Sequence, residues 1–262
     1  MSLLYVYCIG RGLRIEPLGD LEAVDGSRHF EIVEEGDLTA LASPVEPAQF
    51  SQEEIDRRGG DLEWVGAIGW RHQGLVARLA ETMTLIPLRA FTMFRSTDGL
   101  REMIRERQDT LHATLDRIEG REEWTVRIDL DPEQWQQAVA TSRPELESLR
   151  AEIAAAGAGR KYLLEKKLSE EAKRLAEDAE RLLVGEIESR LAEELHAPMI
   201  VEDREVRRGS SPQISVLMQR GAEAKMEALV RGLEETFGGS GVRFVLTGPW
   251  PPYSFVGEKI HG

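Results

Sequence analysis

Five histidines, His29, His72, His112, His196 and His261, and one cysteine, Cys8, are the residues best suited to acid–base, nucleophilic or metal chemistry. Two histidines four apart on a helix would hold a metal, and a histidine beside a serine or cysteine would activate it; neither spacing occurs. His72 falls between Ile68 and Leu75 on the apolar face of a helical pattern, so a packed, hydrogen-bonded core histidine is expected. Gly10-Arg11-Gly12 follows an apolar run, but a dinucleotide fingerprint needs a third glycine opening a helix, and Pro17 blocks one. A plain turn fits better. Gly157-Ala158-Gly159-Arg160-Lys161 lacks the four-residue spacer and the hydroxyl residue of a phosphate loop. Its two cations oppose the positive end of the helix that follows, which marks them as a solvated turn or as partner contacts. No catalytic, cofactor-binding or metal site emerges, and the chain reads as a non-enzyme.

Charge narrows the partners. The net charge is −14 in 262 residues, which repels phosphate backbones and anionic lipid surfaces alike, so neither nucleic acid nor membrane is an expected partner. One cysteine rules out an internal disulfide, and no apolar stretch approaches the ~20 residues of a membrane span. A cytoplasmic, reduced setting is expected.

Leu3–Ile9 reads as a strand apolar on both faces. Strands are also expected at 30–34 and 38–43, with Glu35-Gly36-Asp37 turning between them. Residues 51–60 read as mobile loop. Asp61 then caps a helix to about Thr82, whose apolar face takes in Leu62, Val65, Ile68, Gly69, Leu75, Val76 and Leu79. Leu85-Ile86-Pro87-Leu88 is a short extended piece, 96–118 a second helix, and Trp124–Leu130 an alternating, half-exposed strand. This mixed order predicts an α+β domain over residues 1–135, with helices on one face of a largely antiparallel sheet.

Residues 143–197 are rich in Ala, Leu, Glu, Lys and Arg. They predict an αα-hairpin turning at Gly157–Gly159, its second arm about 50 Å long and coiled-coil-like in its three- and four-residue apolar steps. Glu170–Arg174, Glu177–Arg181 and Glu186–Arg190 are expected as i,i+4 pairs. Residues 198–262 return to α+β: a hairpin of 198–206 with 214–218 joined through 207–212, a helix near 222–237 and a strand at 242–247. The pattern approaches half of a ferredoxin-like unit.

The tail, Gly248-Pro249-Trp250-Pro251-Pro252-Tyr253-Ser254-Phe255-Val256, sets three aromatics among three prolines. Proline holds such a segment extended and lowers the entropy lost on ordering, so it suits burial of aromatics. It either docks a partner or folds back to staple the chain's own domains.

This tail is similar to the terminal signature of the gas vesicle GvpF/GvpL family. Leu4-Tyr5-Val6-Tyr7, Leu85-Ile86-Pro87-Leu88-Arg89 with Phe94, Glu123-Trp124-Thr125-Val126-Arg127 and Gly159-Arg160-Lys161-Tyr162-Leu163 resemble the family in the same order. Two places depart from it. Ala90-Phe91 stands where the family has an aromatic–glycine pair, and Ile214–Arg220 ends more polar than usual.

The resemblance implies two α+β domains, the first a modified ferredoxin-like sheet with helices and the second bearing the helical arm. It implies no cofactor and no enzymatic activity. It implies a cytoplasmic protein associated with gas vesicles, at the gas-facing side of the shell in some members, that binds the shell protein GvpA and other Gvp accessory proteins during organelle assembly. Arg89, Phe91, Tyr162, Trp250, Pro251, Pro252, Tyr253 and Phe255 are the partner-binding or interdomain candidates. A chaperone-like adaptor would use the first domain's sheet edge or the helical arm. The alternative is a small-molecule-binding regulatory module, since ferredoxin-like domains often hold ligands.

Overall fold

The first strand, β1 (Leu3–Arg11), is an almost unbroken run of buried side chains from Leu4 to Gly10, as its two apolar faces require. In the computed structural model, which describes residues 3–202 and 211–257, β1 is the centre of the first sheet. A 3-10 turn (Glu16–Leu18) and a loop lead to β2 (Glu31–Glu35) and β3 (Leu38–Val45). Gly36, with φ of 63°, makes their turn. The helices α1 (Pro47–Phe50), α2 (Gln52–Arg58) and α3 (Leu62–Ala80) follow, then β4 (Leu85–Pro87) and β5 (Met93–Phe94). The antiparallel sheet runs β2-β3-β1-β4, with β5 also pairing β1.

The expected mobile loop at 51–60 is helical. The Ser51 side chain accepts the Glu54 N–H, acidic Glu53 and Glu54 open the helix, and Arg57 and Arg58 close it, so both ends suit the dipole. The expected Asp61 cap is present, bonded to the Trp64 N–H at 3.1 Å. The expected single helix over 96–118 is two, α4 (Thr97–Glu106) and α5 (Gln108–Ile118), because Arg107 leaves helical geometry at φ −109° and ψ 13°.

β6 (Arg121–Leu130) alternates as expected, yet it joins the second sheet rather than the first. α6 (Pro132–Ser142), unforeseen, is capped by Asp131, whose carboxylate accepts from Glu133 and Gln134. α7 (Glu145–Ala155) and α8 (Ala158–Leu195) form the expected hairpin, α8 being one helix of 38 residues. The expected i,i+4 ion pairs are replaced by neighbours. Arg174 pairs with Glu171 and Asp178, Arg181 with Asp178, and Arg190 with Glu194.

β7 (Met199–Glu202), β8 (Gln213–Gln219), α9 (Glu223–Phe237) and β9 (Val242–Trp250) complete the described chain, and the second sheet runs β7-β8-β6-β9. The rest of the expected 198–206 strand, the link 207–210 and His261 lie outside the described residues. Two compact units result. Unit one holds the chain up to Glu123, Leu217–Arg220 and the tail from Pro249; unit two holds Trp124–Val216 and Gly221–Gly248.

The core of unit one gathers Tyr5, Tyr7, Leu41, Phe50, Ile68, Leu75 and Leu79, with Phe91 and Tyr253 packed against it. In unit two, α9 buries Met226, Leu229, Val230 and Leu233, and Trp135 of α6 donates its indole N–H to the Ala176 carbonyl of α8 at 3.0 Å. Gly241 is obligatory there. Its φ is 78°, and an added Cβ would lie 2.7 Å from Gln134 Cβ.

Candidate functional site

The tail is anchored inside its own unit. Pro251, Pro252, Phe255 and Val256 are buried, whereas Trp250 remains 42% exposed. The Ser254 N–H and hydroxyl donate to the two carboxylate oxygens of Glu123, at 2.9 and 2.6 Å. Glu123 is buried, so these charge-assisted bonds fix the segment firmly. Arg117 adds a guanidinium bond to the Phe255 carbonyl. Backbone turns from Phe255 N–H to Pro252 O and from Tyr253 N–H to Pro251 O close the loop. The Tyr253 hydroxyl is buried with no hydrogen-bond partner among the described residues, and burial drives its pKa up.

Beside it lies a polar circuit inside an apolar core. His72 Nε2 faces the Leu88 carbonyl at 2.9 Å, and a carbonyl can only accept, so Nε2 carries the proton. Nδ1 therefore accepts from the Tyr5 hydroxyl at 3.1 Å, and that oxygen accepts the Phe91 N–H at 2.9 Å. Every buried polar atom of the circuit is thereby satisfied. Burial holds His72 neutral, its pKa pushed down to about 4, and raises the Tyr5 pKa. Tyr7 stacks on His72 with centroids 5.6 Å apart and bonds Ser43 at 2.7 Å. The expectation of a core histidine holds; its partners had no sequence signal.

The predicted site residues separate by environment. Phe91 is at φ 66°, a conformation glycine adopts without strain, and its ring lies 5.6 Å from Trp64 and 6.5 Å from Tyr5. Arg89 is exposed next to it. Tyr162 lies on α8 in unit two, 70% exposed, with Leu163 64% exposed beside it.

The motifs dismissed as chemistry are occupied otherwise. Arg11 reaches Asp116 at 2.8 Å and His112 at 3.0 Å, and Gly12 is a turn at φ 59°. Arg160 pairs with Glu152 across the α7–α8 turn at 3.6 Å. Cys8 is fully buried and its thiol pKa is pushed up to about 12. Among the described residues no three His, Cys, Asp or Glu side chains gather as a metal site, and no helix is long and apolar enough to cross a membrane.

Helix α3 presents the feature that the sequence pattern missed. Leu62, Gly66, Trp70, Gln73 and Ala77 recur every three or four residues along about 22 Å of one face. Leu62 is 82% and Trp70 65% exposed, so Leu62 does not belong to the buried face to which its spacing assigned it. Among the described residues, an added Cβ on Gly66, Gly69 or Gly74 would meet nothing within 4 Å. The omission of Trp70 from the core stripe was the available signal.

The architecture and the anchored tail define an α+β protein with a long helical arm, built around packed surfaces. The family model for gas vesicle synthesis protein GvpL/GvpF matches residues 3–257, and the chain belongs to that family. It is 28% identical to gas vesicle protein L of Streptomyces sp. (strain CB03234) over 247 residues, covering 90% of this chain and 87% of the relative. Gas vesicle protein L2 of Halobacterium salinarum is 29% identical, covering 71% and 69%. Its fold is that of the crystal structure of GvpF from Anabaena sp. PCC7120, with a TM-score of 0.71, 16% identity and coverage of 98% and 97%. GvpF from Microcystis aeruginosa gives a TM-score of 0.68 at 16% identity, covering 98% and 100%. Its function therefore belongs with gas vesicles.

Proposed function

We propose that this chain is a non-enzymatic, chaperone-like assembly adaptor that binds the shell protein GvpA and other Gvp accessory proteins in the cytoplasm while gas vesicles form. A shell subunit awaiting assembly exposes apolar surface, and a protein that covers it prevents aggregation. The single observation that carries the reading is the α3 face. Trp70 and Leu62 stand in solvent beside glycines that no packing among the described residues requires. Each glycine costs a helix about 1 kcal/mol relative to alanine, a cost that close approach of a partner helix would offset. A net charge of −14 would keep the loaded complex dissolved.

The strand orders β2-β3-β1-β4 and β7-β8-β6-β9 support a ferredoxin-like reading of both sheets, modified in the first by a loop where a helix would join β1 to β2. The β2 edge suits strand addition less well, because α4 already engages it. Arg101 donates to the Glu34 carbonyl and Arg105 pairs with Glu35. Helix-in-groove docking on α3 is the better fit.

Pull-down of purified GvpA by the full-length chain at micromolar concentration tests this. Capture by the wild type and loss in Trp70→Asp support it; equal capture by both sinks the α3 assignment, and no capture by either sinks the role.

A further inference from the structure

The stripe of α3, exposed at Leu62, Gly66 and Trp70 and half-buried at Gln73 and Ala77, does not end in open solvent. Ala77, its last member, lines a cavity of about 330 Å³ within unit one, walled by Met83, Leu85, Ile118, Trp250 and Pro251. Four charged side chains border these apolar walls: Glu81, Arg121, Glu122 and Arg220. Arg220 is committed, donating to the carbonyls of Glu81 and Met83 at 2.6 and 3.0 Å. The Glu81 carboxylate is held by Arg78 at 2.9 Å, and Glu122 is engaged as well. Arg121 differs. It is half-buried, and its side chain makes no ion pair or hydrogen bond with any described residue.

A partly buried guanidinium beside proline and tryptophan stays hydrated while the cavity is open to solvent. An apolar ligand closing over it would strip that water and give the guanidinium no hydrogen-bond acceptor in exchange. A ligand bringing its own carboxylate would instead form a two-pronged, charge-assisted pair. The cavity therefore discriminates by chemistry, accepting apolar groups only together with an anion. Its continuity with the α3 stripe, about 22 Å long, calls for an occupant longer than the cavity itself. That length and the flat, small-residue surface favour a polypeptide over a compact organic acid.

We propose that this cavity seats an acidic side chain carried by an apolar segment of a protein partner, with the carboxylate on Arg121 and its apolar neighbours against Trp250 and along α3. The proposal deepens the docking reading above and rests on it for the path along α3. Its test does not use the shell protein, so the two stand or fall separately.

Matched pairs of ten-residue Leu/Ile/Ala peptides, differing only in one central Glu or Gln, are titrated into the full-length protein by fluorescence anisotropy. The expected result is about tenfold tighter binding of the Glu member, the scale of a hydrogen-bonded charge pair, shrinking as salt is added. Arg121→Gln abolishes the preference and Arg121→Lys keeps part of it. Equal thermal midpoints for the three proteins separate loss of the pair from loss of the fold. Absence of a Glu preference in the wild type, or its survival in Arg121→Gln, overturns the proposal. Displacement of the peptides by hexanoate at equal affinity also overturns it, in favour of a small organic acid.

Discussion

Glu123 accepts both the backbone N–H and the hydroxyl of Ser254, one on each carboxylate oxygen, although 131 residues separate them in the chain. The pair makes the tail part of unit one, with Pro251, Pro252 and Phe255 buried and Trp250 at the wall of the neighbouring cavity. Ser254→Ala should cost about 1–3 kcal/mol, because the buried carboxylate loses one donor. Glu123→Ala should cost more and free the tail locally. Limited chymotrypsin digestion is expected to cut Glu123→Ala between 250 and 256 well before the wild type. Identical digestion rates would deny the anchor.

His72 couples the core to pH. Its folded pKa of about 4 lies below the ordinary imidazole value of 6.5, so the unfolded chain takes up the proton first. The neutral histidine contributes fully above the unfolded value, and the contribution is lost as pH falls from about 6.5 toward 4. The ceiling is about 3 kcal/mol. Urea midpoints at pH 7.5 and 4.5 should differ more in the wild type than in His72→Gln, and equal differences would contradict a buried neutral imidazole.

Phe91 sets backbone strain against ring contacts. Its left-handed φ costs a residue with a Cβ about 1–2 kcal/mol, which the contacts with Trp64 and Tyr5 offset. Phe91→Ala keeps the strain and loses the ring; Phe91→Gly loses both. Phe91→Gly should therefore be the more stable of the two by about 1 kcal/mol in chemical denaturation. The reverse order would mean that the backbone there is not constrained.

Cys8, in the middle of β1, is the chain's one cysteine and is shielded completely. With its thiol pKa near 12, it has no thiolate to offer at neutral pH. Reaction with a thiol reagent should proceed only as fast as the first sheet opens, and should accelerate along the unfolding transition. Prompt stoichiometric labelling of the native protein would contradict the burial.

Much of the fold was legible where short-range pattern decides structure. β1 is apolar on both faces and is buried on both, Asp61 caps the helix it precedes, and Gly157 interrupts two helix-forming stretches. The misses arise where distant partners decide. Alternation in Trp124–Leu130 reveals a strand but not that its neighbours are β8 and β9. Residues 51–60 carry a helix cap, but the helix is only seven residues long, below the length at which apolar periodicity speaks. The tail's aromatics and prolines announced burial, yet nothing marked Glu123 as its anchor among 47 acidic residues. Spacing placed Leu62 on the buried face, whereas it begins the stripe that ends at the Arg121 cavity.

Light scattering by GvpA diluted from denaturant, with and without an equimolar amount of the full-length chain, tests the adaptor role most directly. The wild type should suppress scattering, and Trp70→Asp, folded and equally charged elsewhere, should not. Unchanged scattering in the presence of the wild type would contradict it.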